Sequence, residues 1–252
     1  TPKPSSAASD VYKRQIQDRM AELAQKFSEN ALDSTDAYAH YAGESEVEGI
    51  PGDALEAAAE GAKADGREGY KFTLKLPSYL PVMQYARSSA LRETLYRAYA
   101  TRASELAEGD AVKFDNTAIV REILALRHEE AQLLGYPDFA TVSVVPKMAE
   151  SPEQVITFLR DLATRARPYA LQDLADLREF AAQELGLPDP QPWDWPYVGE
   201  KLKEARYSFS DQEVKLYFPA PKVLAGLFKI VETLFGVCLL YTSDAADEGL
   251  GV

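Results

Sequence analysis

The chain has 252 residues, with 40 acidic and 27 basic side chains and a formal net charge of −13. A surface this acidic repels nucleic-acid phosphates and anionic lipid headgroups, so we expect neither partner. The apolar stretch Val223–Leu240 contains Lys229 and Glu232, and these two charges argue against a transmembrane helix. Composition therefore indicates a globular protein that binds neither nucleic acid nor membrane.

The two ends of the chain carry strings that one short DNA can encode on opposite strands. Ser5–Gln15 reads SSAASDVYKRQ, and the reverse complement of a DNA for it, read one base in, encodes the CLLYTSDAADE of Cys238–Glu248. Folding and selection do not produce such a relation, which is typical of a sequencing adapter translated as gene. We therefore predict three parts: adapter-derived residues 1–15 and 238–252, and natural but truncated sequence from 16 to 237.

Cys238, the single cysteine of the chain, falls in the predicted adapter. The remaining sequence then offers no disulfide and no thiolate ligand, which fits a reducing compartment. Without the flanks the chain keeps 27 − 3 = 24 basic and 40 − 4 = 36 acidic residues, so its net charge is still −12. We expect a cytoplasmic protein.

Most of the sequence has the apolar periodicity of amphipathic helices. Pro168 is expected to kink or split one of them, because proline removes a backbone donor and crowds the preceding turn. A capping box is expected at Ser210–Glu213. The predicted helices are Ile16–Leu32, Ala54–Lys63 with Asp53 as cap, Ser89–Ser104, Asn116–Tyr136, Pro137–Ser143, a pair after Ser151 that meets at Pro168, Tyr197–Tyr207 and Val223–Phe235.

One stretch has the alternation of a strand instead. Tyr70–Leu76 alternates without a break and Pro77 is expected to end it. With Thr35–Tyr41, a weaker candidate, it could form a small β-hairpin or the edge of a modest sheet. The fold class predicted from these patterns is mainly α. In the helix Ser89–Ser104 we expect Leu91 and Leu95 to face inward and Arg92 to face outward.

The helix Asn116–Tyr136 contains the nearest approach to a metal motif. Its string HEEAQ, from His128 to Gln132, begins like the zinc-peptidase pattern H-E-x-x-H, which needs imidazoles at both ends to bind one metal. Gln132 is a neutral amide and a poor zinc ligand. We therefore interpret this helix as scaffold, with Glu129 and Glu130 on its solvated face.

No other pattern in the sequence predicts a reaction. There is no Gly-rich phosphate loop and no G-x-S-x-G, and His40 and His128 lie far apart. We name no catalytic residue and no metal ligand, and the substrate-binding residues stay unknown. Tyrosines suit either a core boundary, which we favour, or the wall of a peptide-binding channel; the candidates are Tyr79, Tyr85, Tyr96, Tyr99, Tyr197, Tyr207 and Tyr217.

Several strings together resemble a known family. They are FSENALD at 27–33, GYKFTLKLPSYLPVMQYA at 69–86, LALRHEEAQLLGY at 124–136, KMAESPEQV at 147–155 and PWDWPYVGEKLKEARYSFSDQEVKLYFP at 192–219. In order and spacing they resemble the thimet oligopeptidase family of zinc metallopeptidases, across essentially all of 16–237.

The resemblance implies a mainly helical, two-lobed enzyme with a deep channel that admits short peptides. It also implies a zinc motif H-E-x-x-H that lies C-terminal to the residues seen here, so no metal or catalytic residue is carried over. The present segment would supply scaffold and channel wall, would bind no zinc and would be inactive alone. The alternative is a non-catalytic helical peptide-binding or adaptor protein on the same scaffold.

Overall fold

The computed structural model describes residues 7–208 and 211–239. Ser210 of the expected capping box lies outside these residues, as do residues 1–6 and 240–252 of the predicted adapter. The described chain divides at Leu202 into two compact units.

The described residues are mainly helical, as predicted, with one small sheet. The elements in order are α1 Ala7–Asp36, β1 His40–Ala42, α2 Gly52–Ala64, β2 Tyr70–Phe72, α3 Leu76–Tyr85, α4 Ser89–Ala100, a 3-10 helix Gly109–Phe114, α5 Thr117–Leu133, α6 Phe139–Val144, α7 Pro152–Glu184, α8 Trp195–Tyr207, α9 Asp211–Lys215 and α10 Ala220–Phe235.

The sheet is smaller than the sequence predicted. β1 and β2 pair antiparallel with Tyr41 opposite Lys71, but α2 lies between them in the chain, so they do not form a hairpin. The strand predicted to run to Leu76 stops at Phe72, because Pro77 lies in the first turn of α3, where its missing N–H costs nothing. At Gly69 (φ +93°) a Cβ would lie 2.6 Å from the carbonyl oxygen of Ala42, so glycine is required beside the sheet.

The main hydrophobic core of the first unit is built by the sheet together with α2, α3 and α4. It includes Phe72, Leu74, Val82, Leu91 and Leu95, all buried. The expected inward positions of α4 are therefore confirmed for Leu91 and Leu95. Asp53 is not the N-cap expected for α2: Pro51 occupies that position and Asp53 lies in the first turn.

Arg92, predicted to face solvent, is buried, and that prediction is wrong. Its side chain is 1% exposed and its Nη2 donates to Asp194 Oδ1 at 2.6 Å, where Asp194 is 3% exposed. Asp194 also accepts from the Ser89 hydroxyl at 2.8 Å and from the backbone N–H of Gln191 at 2.9 Å. Trp193 Nε1 donates to the Ser89 hydroxyl at 3.0 Å. This network attaches the start of α8 to α4.

The rest of the Arg92 guanidinium is held by backbone and by an aromatic ring. Nη1 donates to the carbonyl oxygens of Ala86 and Arg87. The guanidinium carbon lies 4.4 Å from the ring centroid of Tyr197, within range of a cation–π interaction. Nε is buried and has no hydrogen-bond partner within the part of the chain that the structure describes.

α1 and α5 pack together through long polar side chains. Asn30 Nδ2 donates to Asn116 Oδ1 at 2.8 Å, and Arg19 Nε donates to Glu122 Oε1 at 2.6 Å. Asn116 precedes α5, but its side chain makes no capping hydrogen bond and contacts α1 instead. Asp115 bonds the first turn instead, because its Oδ1 accepts from the Thr117 N–H at 2.8 Å.

α7 is one helix of 33 residues, so the prediction that Pro168 splits it into two helices is wrong, while the alternative of a kink at Pro168 stays a prediction. The helix begins with a side-chain cap: the Ser151 hydroxyl accepts from the Gln154 N–H at 3.2 Å, and Pro152 occupies the first turn. Pro168 removes one internal hydrogen bond, which the remaining turns of so long a helix outweigh.

We predict that Asp194→Ala lowers the free energy of unfolding by about 3–5 kcal/mol, because it leaves the Arg92 charge buried without a counter-ion. Glu93→Ala is the matched control, since it breaks the exposed Glu93–Arg97 pair and should cost less than about 1 kcal/mol. Urea unfolding of both variants measures the difference. Equal losses would contradict the assignment of a structural role to the buried pair.

A second prediction concerns Tyr79. Burial of its phenol, with Tyr99 stacked at 4.4 Å and Tyr96 nearby, raises the pKa of Tyr79 from 10.0 to about 12. The unfolded chain ionises this phenol near pH 10 and the folded chain does not. Its stabilising contribution is therefore complete below pH 10 and is lost as pH rises toward 12.

Tyr79→Phe should make the fall of unfolding free energy between pH 10 and 12 less steep, as measured by denaturant titrations across that interval. Tyr207→Phe, at an exposed residue, is the control and should leave the slope unchanged. Identical slopes for the two variants would refute the prediction.

Candidate functional site

The last residue of the string that resembles a zinc motif forms hydrogen bonds at the C-terminal end of α5. His128 is exposed. Gln132, where a second histidine would be needed, donates through Nε2 to the carbonyl oxygens of Tyr136 at 3.4 Å and Pro137 at 3.2 Å. These bonds satisfy backbone acceptors just after the helix, where Gly135 has the left-handed φ of +80° expected of a C-terminal cap.

The two glutamates of the string differ in environment. Glu129 is exposed, as predicted, and accepts a hydrogen bond from the Tyr12 hydroxyl. Glu130 is buried, contrary to the prediction, and accepts from Gln17 Nε2 at 2.8 Å. Both carboxylates are thus used to join α5 to α1.

The two histidines do not define a metal site. His40 lies in β1, and its buried Nε2 has no hydrogen-bond partner among the described residues. Across 7–208 and 211–239, no group of three His, Cys, Asp or Glu side chains is placed to hold a metal ion. These residues therefore do not fit zinc.

Five of the seven candidate tyrosines separate into buried and exposed sets, while Tyr96 and Tyr99 are intermediate in exposure. Tyr79, Tyr85 and Tyr197 are buried, and the Tyr85 hydroxyl donates to Glu200 Oε1 at 3.3 Å. Tyr207 and Tyr217 are exposed. The core-boundary interpretation fits the first set, and the second set leaves the channel-wall interpretation open.

Two helices expose apolar faces. On α7, the exposed apolar side chains include Phe158, Leu159 and Leu162. On α10, in the second unit, Leu227, Leu234 and Phe235 are exposed. Isolated exposed apolar residues are ordinary, but continuous apolar stripes on helices are typical of surfaces that pack against other protein.

A cavity of about 520 Å³ lies in the first unit, beside α1 and α4. Ser34, Tyr38 and Arg102 contribute polar groups to it. Sequence reasoning did not find these residues, because they come from segments separated by more than 60 positions and no local pattern relates them.

Comparison with known proteins decides the family. The sequence model of Peptidase family M3 matches residues 82–249. The chain belongs to peptidase family M3. The resemblance inferred from the sequence strings is thereby confirmed. The matched residues run beyond Val237, and the division of the chain into natural and adapter-derived parts stays a prediction.

Individual relatives of this M3 chain match nearly all of it. It is 48% identical to oligopeptidase A of Salmonella typhimurium over 91% of the chain and 34% of that protein. It is 48% identical to oligopeptidase A of Escherichia coli over 88% of the chain and 33% of that protein. It is also 40% identical to the probable cytosolic oligopeptidase A of Arabidopsis thaliana, over 88% of the chain and 32% of that protein. The chain spans about a third of the length of these relatives.

No helix of this M3 chain, within 7–208 and 211–239, is long and apolar enough to cross a membrane. The absence of a nucleic-acid partner, expected from the acidic composition, stays a prediction.

We predict that the dialysed 252-residue chain does not retain zinc at one ion per chain, because a single exposed imidazole beside Gln132 cannot hold it. Metal analysis after exposure to zinc and buffer exchange measures this. His128→Ala should change nothing, and His40→Ala serves as the matched control. Stoichiometric zinc that only His128→Ala abolishes would overturn the prediction.

Proposed function

We propose that this chain is a segment of a cytoplasmic zinc metallo-oligopeptidase that hydrolyses short peptides. The observation that carries the proposal is the similarity along nearly the whole chain to proteins named oligopeptidase A. The name of the plant relative, a probable cytosolic protein, supports the location. Membership of family M3 favours this function over a non-catalytic peptide-binding or adaptor protein.

Within such an enzyme the segment acts as scaffold and as part of the channel wall. The exposed apolar faces of α7 and α10 support this role, since burying one large apolar side chain contributes roughly 1.5–3 kcal/mol. Side chains such as Phe158 and Phe235 would gain that stabilisation by packing against the longer protein. The segment alone is inactive in this proposal.

Zinc would be held elsewhere in the enzyme. The described residues offer no suitable ligand set, so no chemical step is assigned to them. Residues 1–15 and 238–252 are, in this proposal, adapter-derived and contribute nothing to activity.

Replacing the aligned segment of Salmonella typhimurium oligopeptidase A by residues 16–237 of this chain tests the proposal. We expect the chimera to hydrolyse a quenched fluorescent short peptide and to lose that activity when a chelator removes its metal. The 252-residue chain alone should leave the peptide intact. The expectation rests on the match in order and spacing, which should let the replaced segment pack as the original does.

Two controls sharpen this test. The relative with the aligned segment deleted should be inactive, and a second chimera that carries residues 1–252 should be no more active than the first. Hydrolysis by the isolated chain would contradict the proposal. So would a chimera that binds zinc and unfolds cooperatively but cleaves no peptide.

A further inference from the structure

The cavity beside α1 and α4 has the dimensions of a small-molecule site. Its volume of about 520 Å³ falls within the usual range for ligand pockets, roughly 300–1,000 Å³. Leu74, Ala98 and Leu106 give it apolar wall, while Ser34 and Arg102 give it polar wall. Mixed walls of this kind bind ligands that have an apolar body and one polar end.

Arg102 is held in place and its charge is not neutralised. Its Nε donates to the Tyr99 carbonyl oxygen at 3.0 Å, and its Nη1 donates to the Thr35 hydroxyl at 3.0 Å. The guanidinium carbon lies 3.7 Å from the Tyr99 ring centroid. Among the residues the structure describes, none forms an ion pair with Arg102. A guanidinium fixed in this way is preorganised for a carboxylate.

The other charged groups at the cavity define what Arg102 can bind. Arg97 also lines it, but Arg97 Nε is paired with Glu93 Oε1 at 2.8 Å. Glu108 lines it as well, is exposed and forms no ion pair with Arg102. One uncompensated cation beside one exposed carboxylate favours a singly charged anion over a doubly charged one.

Two hydroxyls in the wall have no partner in the described chain. Ser34 is 3% exposed, and its hydroxyl forms no hydrogen bond with any described residue. The same holds for the half-buried phenol of Tyr38. Burial raises the pKa of Tyr38 above its ordinary value. The phenol is therefore protonated at neutral pH, and its O–H group can donate a hydrogen bond. Because both side chains line the cavity, their hydroxyls can donate hydrogen bonds to an acceptor bound there.

We propose that this cavity is a binding site for a small monocarboxylate with an apolar body. The carboxylate would accept from Arg102, with Tyr38 and Ser34 as further donors, and the body would contact Leu74 and Leu106. The carboxylate can belong to a free metabolite or peptide end, or to a side chain of another segment of a longer protein. The inference does not depend on the proposed peptidase activity.

The test uses the 252-residue chain and two probes that differ in charge, N-acetyl-leucine and N-acetyl-leucinamide. Titration followed by ligand-observed NMR should give saturable binding of the acid. The amide should bind at least about tenfold more weakly, because a hydrogen bond to a charged group is typically worth that factor. Equal affinities, or no saturable binding of the acid to the folded chain, would overturn the proposal.

Variants locate the site. Arg102→Gln should abolish the preference for the acid, Arg102→Lys should retain part of it, and Tyr38→Phe should weaken acid binding severalfold without removing a packed ring. Arg165→Gln removes an exposed guanidinium of α7 and is the matched control. If Arg102→Gln fails to fold, Tyr38→Phe still decides. Unchanged acid binding in a folded Arg102→Gln or Tyr38→Phe chain would refute the site.

The same titration on the chimera with oligopeptidase A distinguishes the two sources. Binding there identifies a pocket open to free carboxylates. Binding by the 252-residue chain but not by the chimera identifies a pocket that is filled by another segment of the longer protein. Both results retain the carboxylate site, and neither depends on whether the chimera cleaves peptides.

Discussion

The buried ion pair between Arg92 and Asp194 is the constraint on which the first unit depends. A guanidinium that is removed from water is tolerated only with a counter-ion and well-placed acceptors. Asp194 supplies the charge, and Ser89 and Trp193 complete the hydrogen bonds around it. The proline-containing connector after α7 must therefore return to α4. Once it does, Tyr197 lies over the same guanidinium and the first turns of α8 become part of the first unit.

Periodicity was enough to place most helices, because an amphipathic helix needs only that apolar residues recur at the right spacing. It failed where a distant partner changes what a residue does. Arg92 occupies an outward position on a helix considered alone, and only Asp194 explains why it is buried. Pro77 follows an alternating pattern and suits the end of a strand, yet it lies in the first turn of a helix, because proline is compatible with both positions. The cavity residues could not be predicted, since Ser34, Tyr38 and Arg102 meet only through tertiary packing.

The family membership and the site chemistry come from different sources. Family M3 is established by the match along the chain, whereas no described residue group has the geometry of a metal centre. Gln132 shows why a partial motif is uninformative: its amide bonds the carbonyls after α5, a task that has nothing to do with a metal. In the proposed enzyme the chain would contribute surface, namely the apolar faces of α7 and α10 and the cavity beside α4.

The separation of Arg92 and Asp194 by 102 positions also fixes the order in which the chain can mature on the ribosome. Translation adds about 5–20 residues per second, so Arg92 is made roughly 5–20 s before its counter-ion. The core residues from Ala42 to Leu95 are contiguous enough to collapse in that interval, since their contacts are local. Until Asp194 has been synthesised, the Arg92 guanidinium lacks the counter-ion that makes its burial favourable.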